Sequence, residues 1–125
     1  MHMETQTRVV TVEGSGPVSF TLLPAWRWRT FWLPDRLWRI PGEQLRAEVT
    51  LPLSLDWSPG GVARDMGHEH DRVRVIEIVL REGEPEDIVN YVDADDLVAA
   101  WSSIILPREL RPGWGNLIQH WSQAA

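Results

Sequence analysis

Gly67-His68-Glu69-His70-Asp71 is the most metal-like run in the chain. A His-x-His spacing turns two imidazoles to one side of an extended strand, and zinc takes three or four such nitrogen or sulfur ligands. The other histidines, His2 and His120, lie far away in sequence. His68 and His70 are therefore weak metal candidates. The simpler reading is a solvated loop entering a helix, with His70 or Asp71 at its first turn.

A second constellation is Trp26-Arg27-Trp28-Arg29, followed by Trp32, Arg36, Trp38 and Arg39. Arginine neutralises phosphates, and aromatic faces stack on bases. Trp26, Arg27, Trp28, Arg29, Arg36 and Arg39 are thus binding candidates for an anionic or nucleic-acid partner. Arginine also stacks on tryptophan inside a protein, at about 0.5–2 kcal/mol per pair. On that reading the tryptophans are core or interface anchors, and the arginines bridge to acidic helices. Burial of the tryptophans separates the two, because a buried indole cannot serve as a stacking platform.

The third set is acidic: Glu82, Glu84, Glu86, Asp87, Asp93, Asp95 and Asp96. Several fall where helices begin, and carboxylates are favoured there without any ligand. A solvated face is the first expectation, and reception of a basic partner is the functional one.

Charge is unevenly spread. The chain has 125 residues and a net charge of −6, yet residues 26–46 carry five arginines against Asp35 and Glu43. From Ala47 onward, six arginines face fourteen acids. The basic segment either meets an anionic partner or pairs with the protein's own acidic surface, and the second is favoured in so acidic a chain.

Asp56-Trp57-Ser58-Pro59-Gly60-Gly61 resembles half of the PilZ signature, Asp/Asn-x-Ser-x-x-Gly, through Asp56, Ser58 and Gly61. That resemblance implies a small β-barrel with a trailing helix that binds cyclic di-GMP. The family also carries an upstream Arg-x-x-x-Arg, and the arginines at 27, 29, 36, 39 and 46 include no such pair. No Gly-x-Ser-x-Gly, P-loop or Gly-x-Gly-x-x-Gly occurs either.

Whole-chain composition sets the frame. The length fits one domain with a real core. With no cysteine, disulfides, thiol catalysis and cysteine-bound metals are excluded. All twelve basic residues are arginine, which points to a GC-rich, bacterial source. No apolar run approaches the length of a spanning helix. The opening residues do not read as a secretory leader, and Met1-His2-Met3 resembles a cloning remnant. A cytoplasmic location is expected.

The elements that must position these residues follow from periodicity. Thr7–Val12 and Val18–Leu23, joined by Glu13-Gly14-Ser15-Gly16-Pro17, read as a hairpin. Trp26–Trp28 alternates as a strand does, between flanking prolines, and Asp35–Ile40 reads as a turn or a single helical turn. Gln44–Leu51 alternates apolar and polar residues, as a half-buried strand does. Residues 56–70 read as an exposed connection. Asp71–Gly83 mixes apolar and charged residues under period two but leaves one wet edge under helical spacing. It is expected to be a buried helix, with Asp71 near its start, a Glu77–Arg81 pair and Gly83 as a left-handed cap. The competing reading is a strand turning at 83–86. Glu84-Pro85-Glu86-Asp87 starts the next helix. Asp93 caps Ala94–Ile105, Pro107 stops it, and Gly113–Trp121 is the last helix.

The expected fold is α+β, with an N-terminal antiparallel sheet packed on C-terminal helices; the alternative is a small β-barrel with trailing helices. The leading functional expectation is a non-enzymatic interaction or regulatory protein that holds a protein partner, or a second copy, through the Trp/Arg surface or the acidic helices. The alternative is a nucleotide- or RNA-binding module, including a toxin-type nuclease. A PilZ-like cyclic di-GMP binder ranks third. No cofactor and no membrane partner are expected.

Overall fold

The structure is a computed structural model and describes residues 6–24, 30–52, 54–56 and 62–124. Strands β1 (Thr7–Val12), β2 (Gly16–Pro24) and β3 (Thr30–Pro34) form an antiparallel sheet in that order. The hairpin turn needs glycine: Gly14 and Gly16 hold φ of 79° and 83°, a region closed to most side chains. Cross-strand pairs such as Val10–Val18 and Leu22–Trp32 fix the register. The face carrying Val12, Val18, Phe20 and Trp32 is buried.

After β3 the chain runs through buried Leu37 and Trp38 to a one-turn helix α1 (Gly42–Leu45). Strand β4 (Glu48–Thr50) then pairs with β5 (Ala63–Asp65) in a separate two-stranded sheet. Four helices complete the chain: α2 (Glu69–Glu82), α3 (Pro85–Tyr91), α4 (Ala94–Ala100) and α5 (Arg111–Ala124), with a 3₁₀ turn at Trp101–Ser103. The expected α+β architecture is present, and neither sheet closes into a barrel among the described residues.

Helix α2 forms where the periodicity places it. Val75, Ile76, Ile78, Val79 and Leu80 are all buried. Burial of such side chains contributes about 1.5–3 kcal/mol each and outweighs the small helix penalty of β-branched residues. Asp71 lies in its first turn, as expected, but not as the cap, and the other end differs from expectation. His68 occupies the N-cap position without a side-chain cap bond, and Asp71 instead accepts the N–H of Asp65 at 3.0 Å. Gly83 is extended (φ −81°), not left-handed. It must still be glycine, because a Cβ there would stand 2.5 Å from the Val79 carbonyl oxygen. Glu77 pairs with Arg74 at 3.3 Å and accepts the N–H of Ile105 at 2.9 Å, so the expected Arg81 pairing is replaced.

Four further expectations are corrected. Gln44–Leu51 is not one strand. The Pro41-Gly42 start allows a helical turn, Gln44 N–H to Pro41 O at 3.0 Å, and only Glu48–Thr50 remains extended. Residues 56–70 are not simply an exposed connection. They contain β5, buried Met66, and a nearly buried pair between Arg64 and Asp56 at 3.1 Å. Helix α4 stops at Ala100, seven residues before Pro107, and Ile105 is 78% exposed. The last helix is longer than expected, running from Arg111 to Ala124 around buried Trp114 and Ile118.

Candidate functional site

The tryptophans in the described part of the Trp/Arg segment turn inward. Trp32 and Trp38 are buried, and Trp38 packs at 5.8 Å from the Phe20 ring. Arg36 braces the β1–β2 turn, donating to the carbonyls of Ser15 and Pro17. Arg39 donates to Asp95 at 3.0 Å and stacks 4.8 Å above the Trp121 ring. Trp26, Arg27, Trp28 and Arg29 lie outside the described residues.

Segment 38–46 is fastened to the start of α4. Asp93 caps the helix by accepting from the N–H groups of Asp95 and Asp96. Its other oxygen accepts the N–H of Ile40 at 2.8 Å, and the N–H of Ala94 donates to the Trp38 carbonyl at 2.8 Å. Arg46 reaches both oxygens of Asp96, at 2.9 and 3.1 Å. This bond raises the Arg46 pKa, despite a smaller opposing effect of burial. The Trp121 indole N–H bonds Asp95, and together with Arg39 it holds the Asp95 carboxyl below its usual range. Thus Asp93, Asp95 and Asp96 are all bound by residues of this chain, as the internal-pairing reading anticipated. Glu84 and Glu86 likewise take Arg8, at 2.6 and 2.7 Å.

This fastening leaves a cleft of about 290 Å³ between the α1–β4 arm and the α3–α4 corner. Ile40, Leu45, Ala47, Val49 and Met66 supply its apolar lining. Glu43, Gln44, Asn90, Tyr91, Asp93 and Asp96 supply the polar one. The two aspartates are buried and already bonded. The side chains of Glu43, Gln44, Asn90 and Tyr91 make no hydrogen bond among the described residues. The cleft therefore offers one uncommitted carboxylate, an aromatic ring with a hydroxyl, and two amides above an apolar floor. That set suits a cation on an apolar stem: the charge meets Glu43, and the stem covers Leu45, Val49 and Met66. The described lining includes no serine, threonine, histidine or cysteine. The volume sits at the small end of ligand pockets, which run from about 300 to 1,000 Å³. One long side chain fits better than a nucleotide.

The sequence did not single out this cleft. Its one uncommitted acid, Glu43, lies in the basic segment, where it only offset arginines in the charge count. The signal that was available is the alternation of Leu45, Ala47 and Val49, read as a strand face.

His68 and His70 are both exposed, before and within the first turn of α2. His70 lines a shallow depression with Glu69, Val73, Arg74, Glu77 and Ser103. Among the described residues no group of three or more His, Cys, Asp or Glu is placed to hold a metal ion. Of the PilZ-like residues, Asp56 bonds Arg64, and Ser58 and Gly61 lie outside the described residues. No helix among the described residues is long and apolar enough to cross a membrane. No family model, curated protein or solved structure matches the chain.

Proposed function

We propose that this chain is a non-enzymatic recognition module that takes an arginine or lysine side chain of a partner protein into the cleft beside Glu43. The observation that carries the reading is the state of the carboxylates lining it. Asp93 and Asp96 are bound within the chain, and Glu43 is not. A cation entering the cleft completes a pair without breaking one. Net charge favours the same partner, since a −6 surface draws basic segments and slows acidic ones. Absence of cysteine suits a reducing compartment, in keeping with a cytoplasmic regulatory role.

The test is calorimetric titration with three short peptides of equal length, bearing arginine, lysine or glutamate at the central position. The basic peptides bind, more weakly as salt rises, and Glu43→Gln lowers their affinity on the order of tenfold, the equivalent of about 1.4 kcal/mol. Equal binding of the glutamate peptide, or basic-peptide binding unchanged in Glu43→Gln, overturns the proposal.

A further inference from the structure

The open groups of the Glu43 cleft match the donors of one cation better than another. Three carboxylates line it, those of Glu43, Asp93 and Asp96. Among the described residues one guanidinium is bonded to them, that of Arg46 on Asp96. Asp93 gives its oxygens to the N–H groups of Ile40, Asp95 and Asp96. The Glu43 carboxylate, the amide oxygens of Gln44 and Asn90 and the Tyr91 hydroxyl stay open among the described residues. These acceptors stand on both walls. Glu43 and Gln44 belong to α1, and Asn90 and Tyr91 end α3. Glu43, Gln44 and Asn90 are exposed and free to turn toward a ligand, whereas Tyr91 is half-buried and packs against the core.

We propose that the cleft selects unmodified arginine over lysine and that methylation of that arginine weakens its capture, which rests on the reading of the cleft as a site for a basic side chain. A guanidinium carries five N–H donors spread in a plane, and an ammonium carries three at one point. Acceptors on opposite walls are met together only by the wider group. Lysine reaches Glu43 but not both walls, so it displaces water from the far acceptors without replacing its bonds. The Tyr91 ring adds a flat surface for stacking, which favours the more weakly hydrated guanidinium. The corner beside it already holds one guanidinium at two points, since Arg46 meets the Asp96 oxygens at 2.9 and 3.1 Å. Methylation keeps the charge of arginine and removes N–H donors. The modified side chain therefore keeps its attraction to Glu43 and loses bonds to the amides and the hydroxyl.

Calorimetric titration with peptides of one sequence, bearing arginine, lysine or asymmetric dimethylarginine at the central position, tests this. The arginine peptide is expected to bind about tenfold tighter than the lysine peptide, with the dimethylated peptide close to lysine. Gln44→Leu and Asn90→Leu, both at exposed positions, lower arginine affinity, leave lysine affinity within about twofold, and so narrow the ratio, with circular dichroism unchanged. Equal affinity for arginine and lysine, both weakened by Glu43→Gln, overturns the selectivity and leaves the basic-side-chain reading standing. A ratio untouched by either leucine variant, or a dimethylated peptide as tight as arginine, also overturns the selectivity. Binding of neither basic peptide overturns both.

Discussion

The carboxylate of Asp93 accepts the backbone N–H of Ile40 at 2.8 Å, joining two positions 53 residues apart. Its other oxygen caps α4 through the N–H groups of Asp95 and Asp96. One buried side chain thus caps the start of a helix and holds the segment that forms a wall of the cleft. Alanine at this position removes a cap, a loss of about 0.5–2 kcal/mol, and leaves the Ile40 N–H without its acceptor, about 1–3 kcal/mol more. Asp93→Ala is expected to lower unfolding free energy by about 2–4 kcal/mol in urea titrations. Asp93→Asn, with one acceptor oxygen left, falls between it and the parent.

Asp95 gives the pH dependence. Its carboxyl is held low first by the Trp121 indole N–H and then by Arg39. The unfolded chain binds this proton more tightly than the folded one. The stabilisation is therefore complete above the ordinary aspartate value of 3.8 and fades as pH falls through the lowered folded value. The side chains of Arg39 and Asp95 are 63% and 59% exposed, so solvent screens the pair and the effect is small. Asp95→Asn should be less stable than the parent near neutral pH, and the two midpoints should converge in strong acid. A difference that persists unchanged at low pH shows that Asp95 acts by packing alone.

The hairpin, α2, the capped start of α4 and the last helix were legible because each carries a local signal. These are paired turn glycines, an apolar period, Asp93 ahead of two acids, and Trp114 spaced from Ile118. Elements set by distant partners were not. Gln44–Leu51 has clean strand alternation, but its C-terminal half finds only the short β5 to pair with, and its N-terminal half coils after Pro41. Glu77 has a suitable residue four positions on, yet it takes Arg74 and the N–H of Ile105, a residue 28 positions away. The cleft was hidden for the same reason. Glu43 is notable only because Asp93 and Asp96 beside it are satisfied, and no spacing rule reports that. The basic segment was legible in charge and, for Arg39 and Arg46, in role, since both bind acids of α4; Arg36, which binds a turn, was not.

Gly83 was identified as a helix end, but for a different reason than the structure gives. Its φ of −81° suits any residue, so the conformation itself costs nothing. The constraint is space: a Cβ would meet the Val79 carbonyl at 2.5 Å, and also Val79 Cγ1 at 3.2 Å and Asp87 Cβ at 3.3 Å. Backbone cannot yield as a flexible side chain can. Gly83→Ala is expected to cost about 1–3 kcal/mol, the range for overpacking. Gly42→Ala meets nothing within 4 Å and should be near neutral. Thermal melts of the two variants side by side check this; equal midpoints contradict the crowding argument.

Arg36 separates a structural arginine from a nucleic-acid contact. Its guanidinium donates to the carbonyls of Ser15 and Pro17, and Gly16 lies beneath it, where a Cβ would come 3.3 Å from Nη2. These bonds satisfy turn carbonyls through Nε and Nη2 and so engage the edge of the guanidinium that a two-point phosphate contact would use. Arg36→Gln should therefore lower stability by about 1–3 kcal/mol, as loss of charge-assisted hydrogen bonds does. It should leave any affinity for a single-stranded oligonucleotide unchanged at low salt. A phosphate contact behaves the other way: its removal spares stability and makes binding less steeply dependent on salt, by about one counterion. Oligonucleotide titration at several salt concentrations, with a urea melt of the same variant, decides between them. A shallower salt slope with unchanged stability would place Arg36 in a nucleic-acid interface.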